Sequence, residues 1–129
     1  MKDFVVRLAH SPGELADVTN ALSLAGVNIR SLAAMSLGDQ ALVRIIPDDD
    51  DAARNALRNG KIHFEEHDVT KVLLENKAGE MTGVAAKLAE AGVNLEAVYL
   101  LGVADDLIEL AIVCDNDKKA KKVLADMIS

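Results

Sequence analysis

The stretch Ala25-Gly26-Val27-Asn28 occurs a second time as Ala91-Gly92-Val93-Asn94, and an aliphatic residue follows each copy. When the sequence is shifted by 66 positions, 8 of the 17 residues from Pro12 to Asn28 are identical to their counterparts from Ala78 to Asn94. Self-similarity of this length at one fixed spacing indicates that a whole structural unit has been duplicated.

The repeat extends well beyond the quoted stretch. With one extra residue in the following loop, the matches continue as far as Leu57 and Leu124. A unit of this size is too long for a solenoid repeat and is about right for a small domain. We therefore predict two domains in tandem, at residues 1–68 and 69–129.

The first unit has the pattern of a strand, a helix, two strands, a helix and a strand. An early apolar run is followed by Ser11-Pro12-x-Glu14, whose serine, proline and acid are typical of a capped helix start, and Gly26 supplies a left-handed helix end. The extended stretches around Gly38-Asp39 predict an antiparallel hairpin. A second helix follows the acidic run from Asp48 to Asp51, and Lys61 to His67 is predicted to be the last strand.

The second unit repeats this order but has no sequence left for a closing strand. Two helices on one face of an antiparallel sheet give an α+β fold of the ferredoxin-like (βαββαβ) type, so the second unit is a ferredoxin-like unit lacking its last strand. A missing edge strand leaves its neighbour unpaired, and we expect a homodimer or strand sharing between units to cover it. No turn residues separate the units, which favours one long continuous strand.

Composition narrows the possible classes of function. The formal net charge of -7, with scattered lysines and arginines, argues against binding to nucleic acid or to an anionic membrane surface. No apolar run approaches the about 18 residues that a membrane-spanning helix requires. The single cysteine, Cys114, cannot form an internal disulfide and has apolar neighbours, so we expect it to be buried. Together these features predict a cytoplasmic protein.

Two groups of side chains have metal-binding chemistry. The four carboxylates from Asp48 to Asp51 could hold a divalent cation, but they lack a calcium-loop pattern and are better explained as the acidic start of a helix. His63, Glu65 and His67 would share one face of a strand and could hold zinc or nickel. A solvent-exposed edge strand explains the histidines with fewer assumptions, so no metal or other cofactor is predicted.

The loops at the two helix starts have the chemistry of a zwitterion site. The free amides of a helix N-terminus attract a carboxylate, and the glycines at positions 13 and 79 would allow close backbone approach. Asparagine side chains at 28 and 94 can both donate and accept, and the glutamates at 14 and 80 could accept an ammonium group. A purely structural explanation is also available on spacing alone, since a capping box, helix ends and turn residues account for the same pattern.

These residues carry a resemblance to a known family. Pro12-Gly13-x-Leu15 followed by Gly26-Val27-Asn28-Ile29, and its copy Ala78-Gly79-x-Met81 followed by Gly92-Val93-Asn94-Leu95, is similar to the ACT domain. The resemblance covers nearly the whole chain as two copies. It implies ferredoxin-like units that pair side by side or back to back, with an amino acid bound between two units, and a role in regulation rather than catalysis.

The resemblance also implies which residues would bind the ligand. In the first unit these are His10, Ser11, Pro12, Gly13, Glu14, Leu15, Asn28 and Ile29. In the second unit they are Asn76, Lys77, Ala78, Gly79, Glu80, Met81, Asn94 and Leu95. The second unit departs from the family pattern, because alanine replaces its proline and lysine stands where the first unit has Ser11. The two sites therefore cannot be equivalent, and one of them could be empty.

Three functions are compatible with the sequence. The first is a regulatory protein that binds an amino acid or a similar small zwitterion. The second is a ligand-free interaction module that controls a partner enzyme, and the third is a metal sensor using His63 and His67. An enzyme is not expected, because no nucleophile lies beside a base in any supporting motif.

Overall fold

The computed structural model describes residues 1–128, and the chain divides into two compact units, Met1–His67 and Asp68–Ser129. The first unit contains β1 (Lys2–Ala9), α1 (Glu14–Leu24), β2 (Ile29–Leu37), β3 (Gln40–Pro47), α2 (Asp50–Asn59) and β4 (Glu65–Asp68). The second contains β5 (Thr70–Glu75), α3 (Glu80–Glu90), β6 (Leu95–Ala104), β7 (Leu107–Cys114), α4 (Asp117–Val123) and a 3₁₀ turn (Ala125–Met127). None of the helices in residues 1–128 is long and apolar enough to cross a membrane.

The first unit has a four-stranded sheet in the order β2-β3-β1-β4. The central strand β3 is antiparallel to both β1 and β2, with Val6 opposite Val43 and Leu32 opposite Ile45. Alternate side chains of β1 and β3 point to the same face, because side-chain direction alternates along a strand. That face packs against α1 and α2 in one core built from Phe4, Val6, Val18, Leu22, Val27, Val43, Ile45, Ala53, Ala56 and Leu57.

The second unit has a three-stranded antiparallel sheet in the order β5-β7-β6. Its own core comprises Val72, Leu74, Val84, Leu88, Val93, Leu110, Ile112, Cys114, Ala120 and Leu124. The predicted absence of the last strand is confirmed for the described residues. An antiparallel bridge pairs Ile128 with Val72 at the edge of β5. In the first unit, β4 lies at the corresponding position beside β1.

The start of α1 differs from the predicted capping box. The N-cap residue is Gly13 in the left-handed conformation, with φ 91°, and no side chain caps the helix. The Ser11 hydroxyl instead lies 3.4 Å from the Glu14 carboxylate. Because a left-handed glycine places the chain differently from an extended serine cap, the hydroxyl of Ser11 does not reach the free amides of the first turn. The second unit repeats this start, with Gly79 also at φ 91°.

The prediction of a last strand from Lys61 to His67 is wrong in its bounds. Lys61 has a positive φ of 56° and ends the connection from α2, residues 62–64 are irregular, and β4 begins only at Glu65. The strand then stops at Asp68, and Val69 separates it from β5. The two strands are therefore not continuous, although no turn residue separates them in the sequence.

Candidate ligand-binding site

Backbone hydrogen bonds fix the loop between β1 and α1. The Ser11 amide donates to the Ala9 carbonyl at 2.9 Å, and the His10 amide donates to the Asp39 carbonyl in the β2–β3 turn at 3.1 Å. Nothing lies within 4 Å of the point where a side chain on Gly13 would begin, so conformation rather than space selects glycine there. No side chain caps the amides in the first turn of α1.

A cavity of about 240 Å³ lies beside this loop. One wall is formed by the loop and the first turn of α1, and the other by the middle of β2 and the start of β3. The cavity is lined by Leu8, Ala9, His10, Ser11, Glu14, Leu15, Ala34, Met35, Ser36, Ala41 and Val43. Most of the lining residues are apolar, and the polar ones are His10, Ser11 and Glu14 on one wall and Ser36 on the other. Such a cavity suits a small molecule with one charged end and a short apolar part.

The structure brings together only part of the predicted site in the first unit. His10, Ser11, Glu14 and Leu15 line the cavity, and Pro12 and Gly13 belong to the same loop. Asn28 and Ile29 lie beyond the other end of α1, about 16 Å away along the 11-residue helix. They adjoin a separate, open depression, and Ile29 packs against the core. One unit alone therefore does not place the loop and the asparagine around one small ligand.

The two asparagines of the repeated stretch share a backbone arrangement. The Asn28 amide donates to the Asp48 carboxylate at 3.0 Å, and the Asn94 amide donates to the Asp115 carboxylate at the same distance. The Asn94 side chain also donates to Asp115 at 3.0 Å. The side-chain amide of Asn28 makes no hydrogen bond within residues 1–128. The side-chain amide of Asn28 is therefore the one that is available to a ligand.

The aspartates that accept from these backbone amides were not among the predicted site residues, because the contacts join residues 20 and 21 positions apart. Asp48 and Asp115 are matched positions in the repeat, so a signal exists in the sequence. Sequence spacing assigns Asp48 only to the acidic start of the second helix, because it does not show that the carboxylate reaches back to the start of β2.

The equivalent loop of the second unit carries an internal ion pair. The Lys77 ammonium lies 2.6 Å from the Glu75 carboxylate and 3.7 Å from that of Glu80. Its hydrogen bond to Glu75 raises the pKa of Lys77, with a smaller contribution from Glu80. In the first unit the corresponding residue is the uncharged Ser11. The charge of Glu80 is thus partly compensated within the loop, whereas no lysine or arginine lines the cavity beside Glu14.

The remaining predicted residues of the second unit are spread over different surroundings. Asn76 and Lys77 line an open depression of about 640 Å³ together with the β6–β7 turn. Met81 packs against the core, unlike its counterpart Leu15, which is 38% exposed. Ala78 and Gly79 continue the loop, and Leu95 opens β6. The second loop therefore lines a depression of different composition, in which Glu75, Lys77, Asp105 and Asp106 carry charged side chains.

Solved structures share this architecture over nearly the whole chain. A crystal structure of a protein from Bacteroides thetaiotaomicron matches with a TM-score of 0.87 at 24% sequence identity, covering 99% of this chain and 90% of the other. The ligand-free regulatory subunit of aspartate kinase from Thermus thermophilus matches with a TM-score of 0.62 at 17% identity, covering 97% and 90%. The regulatory subunit of aspartate kinase from Thermus flavus gives 0.61 at 14%, with the same coverage.

A comparison with family models gives no match for this sequence, and neither does a comparison with curated protein sequences. The structural matches nevertheless agree with the sequence pattern and with the topology of both sheets. The fold is that of two ACT domains in tandem. The resemblance predicted from the repeated glycine and asparagine motifs is thereby confirmed at the level of the fold.

The acidic run of the first ACT unit serves separate structural contacts. Asp48 accepts from Asn28, and Asp49 caps α2 by accepting from the Ala52 amide at 3.0 Å. Asp50 accepts from the Lys2 amide at 3.2 Å, and Asp51 pairs with Arg54 at 2.6 Å. The four carboxylates face different partners, and the structure does not gather them around one cation position.

The histidines are not arranged on one strand face as predicted. His63 precedes β4, and only Glu65 and His67 lie within it, 3.5 Å apart. Within residues 1–128 no three His, Cys, Asp or Glu side chains converge as a metal site. The predicted shared face is therefore wrong, because β4 begins two residues after His63.

Cys114 lies at the end of β7 and packs in the core of the second ACT unit. Burial, reinforced by the nearby Asp117 and Asp115 carboxylates, raises the pKa of its thiol to about 11. Because only the thiolate is nucleophilic, we expect almost no alkylation by iodoacetamide at pH 8 in the folded protein. Mass spectrometry should detect rapid alkylation once urea is added, and full modification of the folded protein within minutes would contradict the assignment.

Proposed function

We propose that this protein is regulatory and that it binds an amino acid or a similar small zwitterion at the β1–α1 loop of its first ACT unit. The observation that carries the proposal is the cavity of about 240 Å³ beside a helix start that no side chain caps. The regulatory role is supported by the shared fold, since two of the matched structures are regulatory subunits of aspartate kinase.

Each part of a zwitterion has a complementary group at this loop. The amides at the start of α1, with the positive end of the helix dipole, would receive the carboxylate. Glu14 is half-buried at the cavity and would accept the ammonium group. Leu15, Met35 and Val43 would contact an aliphatic side chain.

The site would be completed by a second ACT unit. Asn28 has an available side-chain amide but lies at the far end of α1 from its own loop. We propose that the ligand lies between two units, with the loop supplied by one and the asparagine by another, from the same chain or from a second copy in a homodimer. Binding would then change how the units are oriented, and a partner enzyme in the cytoplasm would respond to that surface.

We expect about one ligand per chain rather than two. In the second unit Lys77 already lies beside Glu75 and Glu80. A ligand ammonium at Glu80 would gain less than at Glu14, because it would meet a carboxylate whose charge is partly compensated.

The proposal is tested by measuring melting temperature in the presence of each of the twenty amino acids. A ligand that binds only the folded state stabilises it, by about 2.7 kcal/mol at one hundred times its Kd. Isothermal titration calorimetry with the best ligand should give a stoichiometry near one. Absence of any shift at millimolar concentrations of all twenty amino acids would count decisively against the proposal.

Matched variants locate the site. Glu14→Gln should weaken binding at least about tenfold, the effect expected when an ammonium loses a charged acceptor. Glu80→Gln is the control at the corresponding position of the second unit and should leave the Kd within about twofold. Equal weakening by both variants would place the ligand elsewhere or in both loops.

A further inference from the structure

A groove of about 650 Å³ runs between α1 and α2 on the outer side of the first ACT unit. Ala21, Ala25, Ala56 and Gly60 give it a floor of small residues. Leu24 stands at its rim with 81% of its surface exposed, the largest exposure of any large apolar side chain in residues 1–128. Burying such a side chain against a partner would contribute favourable free energy that the isolated chain does not gain.

The second unit carries different side chains at the positions that correspond to this groove. Lys87 occupies the position of Ala21, and Asp126 occupies that of Asn59. The Lys87 ammonium contacts both carboxylate oxygens of Asp126, at 3.1 and 3.0 Å, and so bridges α3 and the 3₁₀ turn. Glu90 stands where the first unit has Leu24. At these matched positions the first unit has an exposed leucine and uncharged side chains, whereas the second has charged ones.

The charge of the groove limits what could occupy it. Glu14 and Asp17 line it near the start of α1, and no lysine or arginine lines it. Asp17 corresponds to Gly83 in the second unit, so this carboxylate is again particular to the first. With a formal net charge of -7, the whole chain would also favour encounter with a basic partner.

We propose that this groove docks an amphipathic helix of a partner protein, with apolar side chains over Leu24 and the alanine floor and with lysine or arginine facing Glu14 and Asp17. The 11 residues of α1 extend about 16 Å, which matches three turns of a docked helix. Small residues in the floor allow the partner helix to approach closely, as in other recognition of helices by grooves. The docking requires no ligand at the β1–α1 loop.

The test uses two synthetic helical peptides of 14 residues with the same leucine pattern, one carrying lysines and the other glutamates. Fluorescence anisotropy with the full chain at low salt should show binding of the lysine peptide, with the glutamate peptide at least tenfold weaker. Leu24→Glu should weaken the lysine peptide at least tenfold, and Ala21→Lys with Asn59→Asp, which copies the salt bridge of the second unit, should do the same.

Controls separate the groove from general surface attraction. Val103→Glu changes an apolar residue of β6 that is 59% exposed and should leave the affinity within twofold. An unchanged affinity in Leu24→Glu, or equal losses in Leu24→Glu and Val103→Glu, would overturn the proposal. Size-exclusion chromatography with light scattering tests the other occupant, because loss of an oligomer in Leu24→Glu would show that a second copy of this chain covers the groove and would also overturn it.

Discussion

Replacing Asp3 by alanine is expected to lower the free energy of unfolding by about 3–5 kcal/mol, the usual cost of removing one partner from a buried ion pair. Asp3 on β1 is completely buried and forms a salt bridge with Arg44 on β3, which is only 9% exposed. After the substitution the guanidinium would keep its charge and its burial but lose the carboxylate. Urea unfolding followed by circular dichroism should therefore show a much lower midpoint.

Two further variants distinguish the loss of pairing from the loss of volume. Asp3→Leu combined with Arg44→Leu removes both charges, and it should recover most of the stability because apolar replacements of buried pairs are often neutral or stabilising. Lys87→Ala breaks the exposed pair with Asp126 and should change the urea midpoint little. A double variant no more stable than Asp3→Ala would contradict the explanation by an uncompensated charge.

Replacing Leu57 or Leu124 by alanine is expected to cost about 2–5 kcal/mol in each case, since both leucines are fully buried and each leaves a cavity. The two residues are counterparts in the repeat and belong to separate cores. Each substitution should therefore act mainly on its own unit. Hydrogen exchange measured by mass spectrometry should show faster exchange in residues 1–68 for Leu57→Ala and in residues 69–129 for Leu124→Ala.

This pair also tests the proposed domain boundaries, since a domain with its own core should open as a unit. Leu24→Ala serves as the surface control and should change stability by no more than about 0.5 kcal/mol, because Leu24 is 81% exposed. Equal acceleration of exchange in both halves for each core variant would indicate one cooperative domain instead of two.

Most of the fold could be predicted because its signals are local and occur twice. Gly26 and Gly92 end their helices with φ of 73° and 71°, as the glycine at a helix end predicts. The hairpin around Gly38 forms where turn residues separate two extended runs. A duplicated pattern indicates the same element twice, which makes each assignment firmer than a single copy would.

The candidate site was harder to predict from the sequence than the fold. The sequence places the residues from His10 to Leu15 in one loop, and several of them do line one cavity. The predicted capping role of Ser11 is wrong. A serine three residues before an acid fits a capping box, but the same pattern also fits a loop in which a left-handed Gly13 is the N-cap residue. The opposite wall of the cavity, formed by Ala34, Met35 and Val43, comes from strands whose approach depends on sheet register.

The sequence by itself determined the duplication, from matches at a fixed shift of 66 residues, and the ferredoxin-like order of elements and the helix ends, from local patterns. Only the tertiary structure decided which side chains already have a hydrogen-bond or ion-pair partner. It left the side-chain amide of Asn28 without a hydrogen bond in residues 1–128, whereas the side-chain amide of Asn94 donates to Asp115. It also joined Lys87 to Asp126 across the second unit. Such contacts join residues that are 21 and 39 positions apart, and local periodicity carries no information about distances of that kind.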